Sequence, residues 1–299
     1  MEKETRIVKL TLDIIFKRIF GNENNKNIIA AFISDLLEIP REDIKAIYLS
    51  NVELAPEYID QKFSRLDIKM DVDGRIVNIE MQVNREPDFK DRTLFYWSKL
   101  YSDELKVGDD YGELKQTICI NIINFNLFDC DDYHSNFKIL ENDRKELLTD
   151  KFSIHFFELK KIGKFKKNRR MEDWLALINA ETEAELMEIQ NKSTIPEIHE
   201  TIVKLRELSA DEKLRQEAYY REKRLHDEAS AIRGSLREGM ERGMAKGMAK
   251  GMAKGRAEGM AKGMAKGRTE ERNIILENMK KNGFTEEQIK LVLGNETDN

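Results

Sequence analysis

The sequence predicts an α/β protein with a mixed β-sheet and a helical C-terminal half, and three observations carry that reading. Two runs of alternating apolar and polar residues meet at Asp73-Gly74. Helical and strand periodicities follow the order helix, three strands, helix, strand through residue 125. From residue 171 onward the periodicity is helical, with no strand candidate.

The elements follow in chain order. Over residues 10–38, Leu12, Ile15, Phe16, Ile19 and Phe20 recur at helical spacing, break at Gly21-Asn22, and the pattern resumes from Asn27 to Leu37 before Pro40. The stretch 44–55 is β-rich. In RLDIKMD, Leu66, Ile68, Met70 and Val72 alternate with Asp67, Lys69 and Asp71; Val77, Ile79, Met81 and Val83 alternate in RIVNIEMQV. With Asp-Gly between them, the two runs form a hairpin with a type I′ turn. Residues 89–107 read as an aromatic-rich helix closed by Gly108, and 117–125 and 151–161 read as strands.

The chain has 299 residues, net charge −5, 40% hydrophobic and 36% charged residues, which is polar for one compact globule and suggests a folded part with solvated helical extensions. Residues 239–268 carry eight Lys/Arg against two Glu, a net +6, so the rest of the chain carries −11. The N-terminus lacks the apolar segment of a secretory signal. ICINIINFNLF at 118–128 is too short to span a bilayer as a helix, so no membrane partner is expected. Cys119 and Cys130 form no CxxC pair, and His134, His155, His199 and His226 are scattered, which argues against thiolate- or imidazole-based metal sites. A reducing, cytoplasmic setting is expected.

Residues 239–268 form a tetrapeptide array of the type GMAK, with eight of the sixteen Gly and six of the twelve Met. A four-residue step rotates by about 400° around an α-helix, so the Gly and Met stripes drift by roughly 40° per repeat. Each Gly costs about 1 kcal/mol relative to Ala. The expectation is a flexible basic tether or a helix held by a partner chain, the tether having the larger weight. After it, Asn282-Gly283 is a helix stop, Thr285 with Gln288 is a capping box, and Gly294 ends a second helix. This helical pair could read DNA or form a homo-oligomer, and pairing is the simpler reading.

The hairpin register gives the chemistry. With Asp73 and Gly74 as loop residues, Val72 faces Arg75, Met70 faces Val77, and Asp67 faces Glu80, on the same face as Gln82. Like charges directly opposite each other destabilise a sheet, so a facing carboxylate pair calls for a reason such as a hard divalent cation. The alternative is a solvated surface in which Lys69, diagonal to Glu80, neutralises both acids. Geometry alone somewhat favours that surface.

The pattern Asp67-x12-Glu80-x-Gln82 resembles the PD-(D/E)XK nuclease family transposases, the Rpn recombination-promoting nuclease group. TLDIIFKRIFG at 11–21, RTLFYWSKLYSDEL leading to GDDYGELKQTICINIINF, SADEKLRQEAYYREKRLHDEAS at 209–230 and the Gly-periodic tail extend the resemblance over nearly the whole chain. It implies a restriction-endonuclease-like core, a Mg²⁺ site (or Mn²⁺), and cleavage of DNA phosphodiester bonds. Asp67 then matches the Asp of the motif, with Leu66 in place of its Pro. Glu80 is the (D/E), the Met81 carbonyl is a backbone ligand, and Gln82 stands at the Lys position. Asp13 resembles the helix-borne acid that completes such sites, although an Asp at a helix N-terminus also stabilises the helix. The expected organisation is a nuclease-like core over 1–165, a helical region over 166–238, the repeat tether over 239–268 and a helical hairpin over 269–299.

For DNA contact, the densest basic run outside the tail supplies Lys160, Lys161, Lys164, Lys166, Lys167, Arg169 and Arg170, at close to even weight with a solvated loop. Lys17 could reach a phosphate but needs no such role. Arg92, Tyr96, Trp97 and Tyr101 share one helix, where aromatics are more often core. The rival function is a catalytically weak or silent DNA-binding or oligomerising protein that retains the fold. A transposase of the DDE type needs a third carboxylate on another scaffold, and the sequence has no pattern for one.

Overall fold

A computed structural model describes residues 7–50, 68–163 and 168–294. Two compact units, residues 1–229 and 230–299, divide the chain. In the first, α1 (Asp13–Phe20) and α2 (Lys26–Leu37) precede β1 (Ile47–Ser50), β2 (Ile68–Val72) and β3 (Arg75–Gln82). Then come α3 (Phe89–Ser102), β4 (Thr117–Ile123), β5 (His134–Phe137) and β6 (Phe152–Glu158). The helices α4 (Arg169–Asn179), α5 (Glu183–Lys192), α6 (Pro196–Ala210), α7 (Glu212–Lys281) and α8 (Glu286–Leu293) follow.

The strands form one six-stranded mixed sheet in the order β1-β2-β3-β4-β6-β5. β3–β4 and β4–β6 are parallel, and the other pairs are antiparallel. The hairpin has the expected register, with Val72 opposite Arg75, Met70 opposite Val77 and Ile68 opposite Ile79. Asp73 and Gly74 have φ of 49° and 77°, the positive angles that a type I′ turn needs at both loop positions. Asp73 also accepts hydrogen bonds from the Lys45 and Ala46 amides at 2.8 and 3.0 Å, which ties the turn to the start of β1.

Helices cover both faces of the sheet. On one side Val77, Ile79 and Met81 of β3 and Ile118, Ile120 and Ile122 of β4 pack in the larger core with α1, α2, α4 and α6. Alternation sends Asn78, Glu80 and Gln82 to the other side, which is the side of the smaller cluster built on Phe89, Cys119, Ile123 and Phe156. There α3 lies against β4: the Trp97 indole donates to the Thr117 carbonyl at 2.8 Å, and its ring meets Phe152.

The edge strand β5 carries no sequence signal. Its residues His134-Ser-Asn-Phe137 are polar and partly exposed, and an edge strand buries too little to impose period-2 alternation. The tetrapeptide array is helical throughout, within α7, which corrects the expectation of a flexible tether. Met, Ala and Lys are strong helix formers, and helix-forming sequence flanks the array on both sides, so the helix propagates through it without a new nucleation step. Lys254–Glu258 and Lys266–Glu270 add i,i+4 pairs.

In the second unit, Gly283 (φ 80°) ends α7 and the Thr285–Gln288 capping box opens α8. Ile289 is buried, while Ile274, Ile275, Phe284 and Val292 stay exposed. Among the described residues, no helix is long and apolar enough to cross a membrane.

Candidate active site

Glu80 lies on β3, a strand with neighbours on both sides, opposite Asn121 of the parallel strand β4. Its Oε1 accepts from Asn78 Nδ2 at 3.0 Å, and its carboxylate is half-buried. Asn78 is 1% exposed, and its Oδ1 has no hydrogen-bond partner among the described residues. Asp67 lies outside the described residues, as do Lys164, Lys166 and Lys167. The Met81 side chain packs in the larger core, so only its backbone carbonyl remains for a ligand role.

Oxygen donors dominate this face, with a carboxylate and an unpartnered buried amide oxygen two residues apart. That donor chemistry fits a hard divalent cation and not a soft one. No cluster of three or more His, Cys, Asp or Glu is found among the described residues. Nearby Cys119 supplies no reactive thiolate: burial first, and then the charge of Glu80, push its thiol up.

Lys69 is on the face expected, opposite Asn78, but its ammonium lies 3.5 Å from Glu104 Oε1. The surface salt bridge to Glu80 expected as an alternative is thus replaced by a partner from the turn just after α3. Gln82 is firmly held. Its Nε2 donates to the Asn84 carbonyl at 2.9 Å and to Glu86 Oε1 at 3.3 Å, while its Oε1 accepts from Arg92 Nη2 at 3.1 Å.

Residues 10–235 match the family of PD-(D/E)XK nuclease family transposases. The chain belongs to that family. The mixed sheet with flanking helices is consistent with the restriction-endonuclease-like fold, and membership supports a nuclease-like function on a DNA substrate. Nuclease members of this superfamily generally use divalent metal ions. No curated protein and no solved structure matches the chain.

The other site residues expected from sequence are scattered through this PD-(D/E)XK chain. Asp13 opens α1, where the Arg221 guanidinium grips its carboxylate. Lys160 is exposed, and Arg169 donates to the Lys192 carbonyl at 2.6 Å. Arg170 pairs with Asp35 at 2.6 Å. Lys161 is a correction. Its ammonium is buried against Glu158 Oε2 at 2.6 Å and the Phe128 carbonyl at 2.7 Å, so it cannot meet DNA. A basic run read from sequence does not reveal that one of its members faces inward. The residue that sequence reasoning underrated is Arg92, whose only signal was its place on the aromatic helix.

Proposed function

We propose that this protein is a metal-dependent endodeoxyribonuclease of the recombination-promoting type, acting in the cytoplasm, with Mg²⁺ or Mn²⁺ held by Asp67, Glu80 and the Met81 carbonyl. The observation behind this reading is the β2–β3 register, in which Ile68 pairs with Ile79, in agreement with the sequence count from which the pairing of Asp67 with Glu80 is proposed. A bound divalent cation supplies water activation and offsets charge developing on the phosphate. The chain's own residues do the rest. The two carboxylates would hold the cation through their oxygens and offset part of its charge, and Gln82 presents an amide to the attacking water or a phosphate oxygen without adding charge. Asp13 and the exposed basic residues Lys160, Arg169 and Arg170, with Lys164, Lys166 and Lys167, complete the assignment as outlying acid and phosphate contacts.

A second reading, a silent DNA-binding protein on the same fold, is favoured by one observation: both ends of the Gln82 amide are already hydrogen-bonded. Nicking of supercoiled plasmid by the purified full chain separates the two. Cleavage in Mg²⁺ or Mn²⁺, absent in EDTA and in both Asp67→Ala and Glu80→Ala, supports the nuclease. DNA binding without cleavage in either metal supports the silent protein, and cleavage surviving in both variants refutes the carboxylate assignment.

A further inference from the structure

The superfamily's motif places a lysine where this chain has Gln82, so the strand brings no positive charge to that position. The neighbouring helix does. Arg92, in the first turn of α3, donates from Nη2 to Gln82 Oε1 at 3.1 Å. Its Nη1 pairs with Glu86, and Glu86 in turn accepts from Gln82 Nε2, closing a three-residue ring between the end of β3, the β3–α3 connection and α3.

Two aromatic faces hold the guanidinium in place. Its carbon lies 5.2 Å from the Phe89 ring centroid and 5.9 Å from that of Tyr96. The Arg92 side chain nevertheless remains 25% exposed. Two of its five N–H donors are used by Gln82 and Glu86, which leaves donors for an incoming anion. Among the described residues, two other cations of this region are engaged elsewhere: Lys69 with Glu104, and Lys115 with Asp71 at 2.7 Å.

We infer that Arg92 is the cationic group of this site and contacts a phosphate oxygen of bound DNA, supplying from α3 the charge that Gln82 lacks. The inference rests on the nuclease reading for the identity of the phosphate as the one attacked. Guanidinium suits the task because its planar fork stays charged and matches phosphate oxygens in pairs. Glu86 occupies part of that fork in the free protein, so phosphate binding competes with it.

The test uses the full chain and a labelled DNA duplex in Ca²⁺, with affinity measured across a salt series, followed by single-turnover cleavage in Mg²⁺. Arg92→Gln should weaken binding about tenfold, the equivalent of about 1.4 kcal/mol, and flatten the salt slope by about 0.9, one phosphate contact. Glu86→Gln, which leaves Arg92 in place and removes its competitor, should strengthen binding. The loss caused by Arg92→Gln should persist in a Gln82→Ala background. If it vanishes there, Arg92 acts only by holding Gln82 and the inference fails. It fails equally if Arg92→Gln leaves the slope unchanged or if Glu86→Gln weakens binding. Should Arg92→Gln not fold, the Glu86→Gln affinity decides alone. Absence of cleavage by the unmodified chain would sink the nuclease reading, while the salt slope in Ca²⁺ still judges the phosphate contact.

Discussion

Arg221 Nε donates to Asp13 Oδ1 at 2.8 Å, and its Nη2 bonds Oδ2, joining α7 to the first turn of α1 across 208 residues of chain. Burial works against the charged carboxylate, but the hydrogen bond and charge of Arg221 outweigh it, helped by the Ile14 amide and Lys17. The Asp13 carboxyl is therefore held below its ordinary 3.8. The geometry is bidentate, the strongest form of such a pair. An acid expected from family resemblance to complete the nuclease site is thus also a tie between helices.

Arg221→Gln should lower stability by about 1–2 kcal/mol at neutral pH, since it strands a partly buried carboxylate. A depressed carboxyl contributes its full stability above the unfolded value and loses it as pH falls through the lower folded value. The gap between parent and variant, measured by urea unfolding in a series descending from pH 7, should close in acid. A gap independent of pH would mean that packing of the Arg221 stem, and not the ion pair, holds α7 to α1.

The buried pair Glu158–Lys161 yields a second prediction. Glu158 is fully buried, and its Oε1 also accepts from the Leu127 amide at 2.6 Å. Lys161→Met leaves that carboxylate without its cation and should cost about 3–5 kcal/mol. Lys160→Ala, at an exposed neighbour, should leave the melting temperature nearly unchanged. If DNA affinity falls in Lys160→Ala while the protein stays folded, the basic run binds through its outward members. Equal stability of the two variants would contradict the inward placement of Lys161.

How much of this was legible in sequence depends on what each residue touches. Asp73-Gly74 fixed the hairpin because a type I′ turn, with positive φ at both loop residues, suits Asp-Gly and matches the twist of its strands, so every pairing to Ile68–Ile79 followed by counting. Glu80 and Gln82 fell on one face for the same reason. The Arg92–Gln82 bond was not legible, because helix periodicity fixes which face a residue is on but not which strand that face meets. Lys161 was misread because charge runs are solvated on average, and the buried Glu158 that overrides the average lies on a strand with no polar alternation. The larger weight on a flexible tether comes from propensity summed over the Gly-rich array alone, without the helical sequence on either side that carries the helix through it.

His155 gives a pH prediction. It is buried between Ser153 Oγ, 2.8 Å from its Nε2, and His134 Nε2, 3.0 Å from its Nδ1. Burial first, then the charges of His134 and Lys138, push it down to about 3. An unfolded histidine takes up its proton near pH 6.5, so between about 6.5 and 3 the unfolded state binds one more proton and folding stability falls as pH falls. The contribution approaches about 1.4 kcal/mol per pH unit inside that window. His155→Gln keeps a side chain able to donate to Ser153 and has no proton to gain. Its unfolding free energy should fall less steeply between pH 6 and 4 than that of the parent protein. Parallel curves would show that His155 titrates normally in the folded state.

The basic array supplies the last prediction. Its lysines project from an α-helix whose four-residue step turns the charged stripe by roughly 40° per repeat, and they lie open to solvent, with Lys254 and Lys266 side chains 80% and 81% exposed. Lys254 and Lys266 face glutamates at i+4, whereas Lys246, Lys250 and Lys262 have no such partner four residues on. If this stripe lies along a DNA backbone, each lysine displaces about one condensed counterion, and the salt slope of binding counts them. Replacing Lys246, Lys250 and Lys262 together by Gln should therefore flatten the slope by about 2.7. Gln and Lys have nearly equal helix propensity, so the far-ultraviolet circular dichroism should not change. This triple variant keeps the length of α7 and leaves α8 in place, which a deletion would not. A flattened slope with unchanged helicity makes the array a DNA-contacting element that adds affinity without chemistry. An unchanged slope makes it a spacer whose charge serves only to keep a Met-rich helix in water.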